Sequence, residues 1–411
     1  MTKTKTKRSY LIPILSKALD VLELLEKSAG TRSLEDVFKK TRIPRTSIFR
    51  ILKTFEHRGY IAHTEPGRYQ LGPRQRRLRF GIAVQSAEMP FSVAVTESIA
   101  QAAAAAGVEL LLLDNCNDPD IAILNAEELV ANRVDLAIEF QVNERVATRV
   151  ANIFKKANVP LVAVDVPHPN ATYFGVDNPD VGYDAGSLLA QYAKHKWNGK
   201  VDRVLGLGFS EAGTYVEARI SSAFDGIRDR LPNLPADRFL RLEGRGMRQS
   251  SRLAVADFLR GQRKGQHILV AAATDSSALG VLDAVRHAGR EGEFAIAGQE
   301  CIPEVLEEMR NYNSAIIGSV SHEAHSYGPR LIQLGITLLR GYTVPPYNYV
   351  RHHVITPETL DAVHTDEQAA EPRELGREPV KITTQDRSTP TCRPSEPLLE
   401  VPGTPGPTVG Q

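Results

Sequence analysis

Cysteine is scarce in this sequence: 411 residues contain three, Cys116, Cys301 and Cys392. They are too far apart for the ligand pairs of a zinc site and too few for a disulfide framework, and they suit a reducing compartment. Long apolar runs are missing as well, since no stretch approaches the ~20 residues that a membrane-crossing helix needs. The basic N-terminus is followed by neither an apolar core nor a cleavage pattern. It does not read as a secretory signal, so the expected location is cytoplasmic, with no membrane partner.

Catalytic motifs fail one by one. Gly206-Leu207-Gly208 before Gly213 lacks the dinucleotide-binding spacing, and Gly208-Phe209-Ser210-Glu211-Ala212 lacks the closing glycine of a nucleophile elbow. His322-Glu323-Ala324-His325 is one residue short of the two-histidine zinc spacing, and His352-His353 would point to opposite faces of a strand. With no set of nucleophile, base and orienting group, the expectation is a protein that is not an enzyme and needs no cofactor or metal.

What is present is an uneven charge. The net formal charge is +1, but residues 1–80 hold 19 Lys and Arg against 7 Asp and Glu, leaving 31 against 42 in the rest. That split suggests a basic module built for a polyanion, joined to a mildly acidic body; the chain is long enough for two or three domains. Residues 1–10 are a Thr/Lys-rich arm, and 73–79 form a short basic linker. Residues 365–411 are rich in Pro, Glu, Thr and Gly and too poor in large apolar residues to build a core, so a disordered tail is expected.

Within the basic module, Leu15, Leu19, Leu22 and Leu25 recur at helical spacing, with Asp20, Glu23 and Glu26 opposite. Ser33 can cap a second helix that buries Leu34, Val37 and Phe38. Pro44 suits the first position of a third helix, which buries Ile48, Ile51, Leu52 and Phe55 and turns Arg45, Thr46, Ser47, Arg50 and Lys53 outward. Tyr60–His63 and Arg68–Leu71 flank Thr64-Glu65-Pro66-Gly67 as a hairpin. Three helices and a hairpin make a winged helix-turn-helix over residues 12–73. Its third helix has the chemistry for a major groove: Arg for guanine edges and phosphates, Ser and Thr for either, Lys for the backbone. Ser33, Arg45, Thr46, Ser47, Arg50, Lys53 and Arg68 are the candidate DNA-binding residues.

This stretch resembles the DNA-binding domain of the isocitrate-lyase-regulator (IclR) family. The resemblance rests on Ser16-x-Ala18-Leu19-x-Val21-Leu22, Ile43-Pro44-Arg45-Thr46-Ser47-Ile48-x-Arg50-Ile51-Leu52, Gly59-Tyr60-Ile61 and Tyr69-x-Leu71-Gly72. The effector domain usual in that family does not follow.

From Arg79 apolar strands alternate with helices: Phe80–Val84, Val108–Leu113, Val134–Ile138 and Leu161–Val164, then Val204–Leu207, Phe239–Leu242, His267–Ala271 and Phe294–Ala297. Continuous apolar strands separated by helices imply parallel sheets covered on both faces, and two such runs imply two α/β lobes. A ligand in such a fold binds at the carboxyl ends of the strands, here between the lobes.

Residues 79–360 resemble the periplasmic-binding-protein-like sensor shared by sugar-binding proteins and the lactose-repressor family. The segments that carry this, in order, are Met89-Pro90-Phe91, Val159–Asp165, Val176-Asp177-Asn178, Thr274-Asp275-x-x-Ala278-Leu279-Gly280, Ile316–Val320 and Pro345-Pro346. The resemblance implies that Phe91 stacks on a sugar ring, Asp165 and Glu300 accept from hydroxyls, and Arg219 donates. It places Thr274, Asp275, Gln299 and Ser319 at neighbouring effector-binding positions. Val166, Met89 and Ser92 depart from the Arg, polar and aromatic residues usual there, which leaves a different polyol or a sugar acid open as ligand.

The expected architecture is therefore α/β: an N-terminal winged helix-turn-helix plus a bilobal periplasmic-binding-protein-like domain of two parallel-sheet α/β lobes. The expected function is a transcriptional regulator, a homodimer on operator DNA, controlled by a small carbohydrate-like effector. The alternatives are a solute-binding protein, which leaves the basic module without a purpose, and an assembly domain without effector control.

Overall fold

A computed structural model describes residues 12–28, 30–72, 78–311 and 313–360. The Thr/Lys arm, most of the basic linker and the 365–411 tail lie outside them. Two compact units divide the chain near Leu78.

The first unit contains α1 (Pro13–Glu26), β1 (Arg32–Ser33), α2 (Leu34–Thr41), α3 (Arg45–His57), β2 (Ile61–Glu65) and β3 (Arg68–Leu71). Ser33 caps α2 reciprocally with Asp36: its hydroxyl accepts from the Asp36 N–H, and the Asp36 carboxylate accepts from the Ser33 N–H. Pro44 is the N-cap of α3, one position before the expected place, with extended backbone angles that start the helix at Arg45. The wing has a third strand that the sequence did not reveal, since β1 pairs antiparallel with β3 in the order β1-β3-β2. Val21, Leu22 and Leu25 of α1 join Val37, Ile48, Leu52, Ile61 and Tyr69 in the core. Leu15 and Leu19 do not: both are exposed, along with Ile12 and Ile14. The buried face of α1 is centred on Val21, and the leucine repeat runs off its edge.

The second unit begins with β4 (Arg79–Val84), α4 (Pro90–Ala106), β5 (Glu109–Asp114), α5 (Pro119–Ala131), β6 (Leu136–Glu139), α6 (Glu144–Lys156), β7 (Leu161–Val164) and β8 (Thr172–Gly175). It continues through α7 (Asn178–Trp197), β9 (Arg203–Gly208), α8 (Thr214–Arg230), β10 (Phe239–Glu243), α9 (Arg248–Arg260), β11 (Ile268–Ala272), α10 (Asp275–His287) and β12 (Phe294–Glu300). The last elements are α11 (Pro303–Met309), β13 (Ile316–Ser321), α12 (Ala324–Leu339), β14 (Tyr347–Tyr349) and β15 (His353–Ile355). One sheet has the order β14-β8-β7-β6-β4-β5, the other β10-β9-β11-β12-β13-β15. Both are parallel in their recorded pairings except β15, which runs antiparallel on β13. Their strands are apolar on both faces, as parallel strands under helices must be. The chain passes between the lobes three times: between β8 and α7, between β13 and α12, and between β14 and β15.

Close helix contact sets the position of the second lobe's first layer. A Cβ on Gly182 would lie 2.3 Å from the Arg219 carbonyl oxygen, and one on Gly186 2.0 Å from that of Ala223. Only glycine lets α7 and α8 approach this closely, which carries the Arg219 side chain to the start of α7. Gly186→Ala gains about 1 kcal/mol of helix propensity but forces the helices apart. We expect a net loss of roughly 1–3 kcal/mol, read as a lowered melting temperature.

Candidate functional site

In the first unit the outward face of α3 carries Thr46, Phe49, Arg50 and Lys53, with Arg45 at its start and Ser47 half-buried. Their commitments differ. Arg45 donates from Nε and Nη2 to both oxygens of Glu35, at 2.9 and 2.7 Å, and its guanidinium lies 3.7 Å over the Phe38 ring. Lys53 pairs with Glu56 at 2.8 Å. The Ser33 hydroxyl serves α2 as its cap and also donates to Asp36. Arg68, on the wing, donates to the Thr31 hydroxyl at 3.3 Å. The exposed Arg50 has no recorded side-chain partner among the described residues, so it is the cation on this helix most available to an anion. Phe49, about half exposed, was not singled out from the sequence; its register beside the basic residues was the available signal.

The second unit holds a crevice at the carboxyl ends of its strands. Both sheets reverse their winding there, between β4 and β6 in one lobe and between β9 and β11 in the other. Gln85 after β4, Phe140 after β6 and Asp165 after β7 form one wall; Phe209 after β9, Thr274 after β11 and Glu300 at the end of β12 face them. Phe91, from the first turn of α4, and Arg219, from α8, complete the lining. In this conformation the cavity offers about 30 Å³, room for a water or two. A sugar-sized ligand would need the lobes to part.

Of the eight expected effector residues, Phe91, Asp165, Arg219, Thr274 and Glu300 line the crevice. Asp275, Gln299 and Ser319 stand behind it as supports. The Asp275 carboxylate accepts from the Ser319 hydroxyl at 2.7 Å and the Ile302 N–H at 2.9 Å, while the Cys301 N–H donates to Ser319 Oγ at 3.2 Å. These bonds pin the 300–302 turn, where Glu300 and Cys301 have φ of 104° and 57°. Gln299 donates to the Val181 carbonyl and meets His322 Nε2 at 3.1 Å. Thr274 faces the crevice, but its hydroxyl donates to the Gly246 carbonyl and accepts from the Ser277 N–H as the cap of α10.

Asp165 also has positive φ, 59°, in a tight turn closed by the Val166 N–H on the Val164 carbonyl at 2.7 Å. Both lining carboxylates thus sit on backbone that side-chain-bearing residues seldom adopt, at a cost on the order of 1–3 kcal/mol each. Such strain persists where surrounding structure enforces it, and it clusters at ligand sites.

Arg219 is buried between these acids. Its Nε donates to Asn178 Oδ1 at 2.6 Å and its Nη1 to the Ala273 carbonyl at 2.9 Å. Burial pushes the Asp165 carboxyl up to about 6, against the pull of Arg219 and a hydrogen bond from the Tyr327 hydroxyl at 3.1 Å. Glu300 keeps some surface open to the crevice, yet burial drives it well above the carboxylate range, with Arg219 opposing and Asp275 and Asp165 adding to the rise. Asp275 is raised to about 7 by burial. Two carboxyls, Asp165 and Glu300, and two arginines, Arg219 and Arg245, line the crevice; Arg245 is paired with Glu211, and burial holds both carboxyls raised despite Arg219. Groups that donate to a carboxylate, such as ligand hydroxyls, would favour its ionised form.

In the sequence His322 stood out only as part of a failed zinc spacing. It is fully buried, lies edge-to-face on Phe91 with centroids 5.6 Å apart, and its Nδ1 has no partner. Burial holds it well below the usual histidine range, so the ring is neutral. The Nδ2 of Asn178, beside Arg219, is likewise unpartnered. The apolar walls, Phe140, Val142 and Phe209, could have been found as the residues that follow strand ends.

Arg219→Met leaves Asp165 and Glu300 without their compensating cation. Stability should fall by about 3 kcal/mol or more near pH 8. The loss should be smaller at pH 5, because a raised carboxyl is protonated there and no longer leaves an uncompensated buried charge. Melting curves of both proteins at the two pH values check this.

Comparison with known proteins gives two matched domains. Residues 14–65 match the IclR helix-turn-helix domain, and residues 80–343 match the periplasmic binding protein domain. The ribose import binding protein RbsB of Haemophilus influenzae is 28% identical over 215 residues, 51% of this chain and 69% of that protein. Among solved structures, a solute-binding protein from Bacillus halodurans with bound myo-inositol is 17% identical. The match covers 70% of this chain and 98% of that one, with a TM-score of 0.59. A Mycobacterium smegmatis protein in complex with β-D-fucofuranose is 22% identical, covering 71% and 95%, at 0.62. A solute-binding protein from Agrobacterium vitis with allitol is 19% identical, covering 70% and 98%, at 0.61. No described helix is long and apolar enough to cross a membrane.

Proposed function

The chain belongs to the periplasmic binding protein domain family and carries an IclR helix-turn-helix domain ahead of it, and from that premise we propose that it is a transcriptional regulator. Residues 12–73 bind operator DNA, and residues 79–360 hold a neutral sugar or related polyol between the lobes. The regulator acts as a homodimer on a two-fold operator. The observation that carries the effector assignment is the crevice itself: Asp165 and Glu300 on strained turns across from a buried Arg219, with Phe91 beside them. The similar proteins that bind inositol, a furanose and a polyol support a neutral ligand.

Phe91 meets Phe140, His322 and Tyr327 in near-perpendicular ring contacts, which fix its ring at the crevice. Ionised Asp165 would accept from hydroxyls while Arg219 donates; Glu300, kept protonated by burial, can pair with a hydroxyl in either direction. A pocket so built discriminates by what it leaves unpaired with the wrong ligand. Ligand control of DNA follows only if the effector prefers one arrangement of the lobes and the DNA-bound form prefers the other.

Two measurements test this. Arg50→Ala should weaken binding to DNA selected by the wild-type protein at least tenfold at fixed salt, in a gel shift; unchanged affinity removes α3 as the reading helix. Calorimetry with a panel of sugars and polyols should find a ligand whose affinity falls as pH drops through about 6, because hydroxyls donate best to ionised Asp165. Asp165→Asn should cost at least tenfold in affinity at pH 8 and flatten that dependence.

A further inference from the structure

Beside the crevice lies a second, smaller cavity that the proposed site leaves unused. It shares Gln85, Val142 and Phe209 with the first and extends along the first lobe to Asn115, Asn117, Gln141 and Asn143. Carboxamides dominate its wall. The charged groups at its rim are engaged: Asp118 caps α5, and Glu211 pairs with Arg245. No lysine, arginine or histidine is among its lining residues.

Three features mark this cavity as more than packing. Asn117, in its lining, and Cys116 just before it have φ of 53° and 51°, so strained backbone recurs here as it does at Asp165 and Glu300. Behind Asn115 a glutamate ends β6: Glu139 is fully buried and accepts from Asn115 Nδ2 at 2.9 Å, while its Oε2 has no partner. Burial raises this carboxyl to about 8, so it is neutral at physiological pH and adds no negative charge to the wall. His168, hydrogen-bonded to Gln141 at 3.2 Å, is pushed down to about 4 by burial and is neutral too. The compartment is polar and has no cation in its lining; Asn115 and Gln141 use both ends of their carboxamides within the protein, which leaves Gln85, Asn117 and Asn143 to meet a ligand.

We propose that this compartment is a second subsite, continuous with the crevice, for a neutral hydroxylated extension of the effector, so that the ligand class is a disaccharide or glycoside rather than a free monosaccharide. Carboxamides pair with hydroxyls in either direction, whereas a phosphate or carboxylate extension would find no counter-charge. The shared Gln85 lies where the two sugar units would join. This assignment rests on the sugar-binding reading above.

The test is calorimetry on the full chain with glucose, galactose and ribose, and with disaccharides of glucose and galactose in their different linkages. At least one disaccharide should bind ten or more times tighter than either of its component monosaccharides. Asn117→Gly removes a carboxamide that lines only the second compartment, and glycine accepts the positive φ without strain. It should bring that disaccharide within about threefold of the monosaccharide while leaving monosaccharide affinity unchanged. Equal affinity for mono- and disaccharides overturns the second subsite and leaves the crevice assignment standing, and so does a disaccharide preference that survives Asn117→Gly. Binding of no sugar at all overturns the crevice assignment, and the extension falls with it.

Discussion

A buried guanidinium is expensive unless its surroundings are built for it, and the second unit is arranged around one. Arg219 reaches the crevice because Gly182 and Gly186 allow α7 against α8, and it is held there by Asn178 and the Ala273 carbonyl. Its charge restrains the rise of the Asp165 and Glu300 carboxyls. Those two residues are aimed by strained turns, and the 300–302 turn is in turn pinned by Asp275 and Ser319. Helix contact, strand ends and electrostatics meet at a single side chain.

The same logic explains the division of labour among polar residues. Groups whose hydrogen bonds are complete within the protein, such as Asp275 and Ser319, act as scaffold. Groups with unfinished pairing, such as Arg219, His322 and Asn178, stand at or beside the crevice. The contrast appears in the first unit as well. Arg45 is closed on Glu35 and Phe38, whereas Arg50 is open to solvent, although both were equivalent basic residues in the helical pattern.

Much of the architecture was legible in the sequence. Apolar strand runs marked both parallel sheets, and helix, turn and wing segments marked the helix-turn-helix in order. The limits were physical. The leucine repeat of α1 misled because exposed leucines obey the same spacing as buried ones, so Leu15 and Leu19 read as core. The two-residue strand at Arg32–Ser33 is too short to show periodicity. Asp275 and Gln299 sit next to lining residues in sequence, but neighbouring positions point to different sides, and only the fold separates wall from support. The carboxamide compartment was invisible because its residues follow four separate elements and share no local pattern.

The central claim is that a ligand held at Arg219 changes what the helix-turn-helix does. The direct measurement is fluorescence anisotropy of operator DNA titrated with the wild type and with Arg219→Met, each with and without a saturating sugar identified by calorimetry. The sugar should shift wild-type DNA affinity at least tenfold and leave that of Arg219→Met unmoved. A sugar that binds the wild type in the crevice yet leaves its DNA affinity unchanged would contradict that claim.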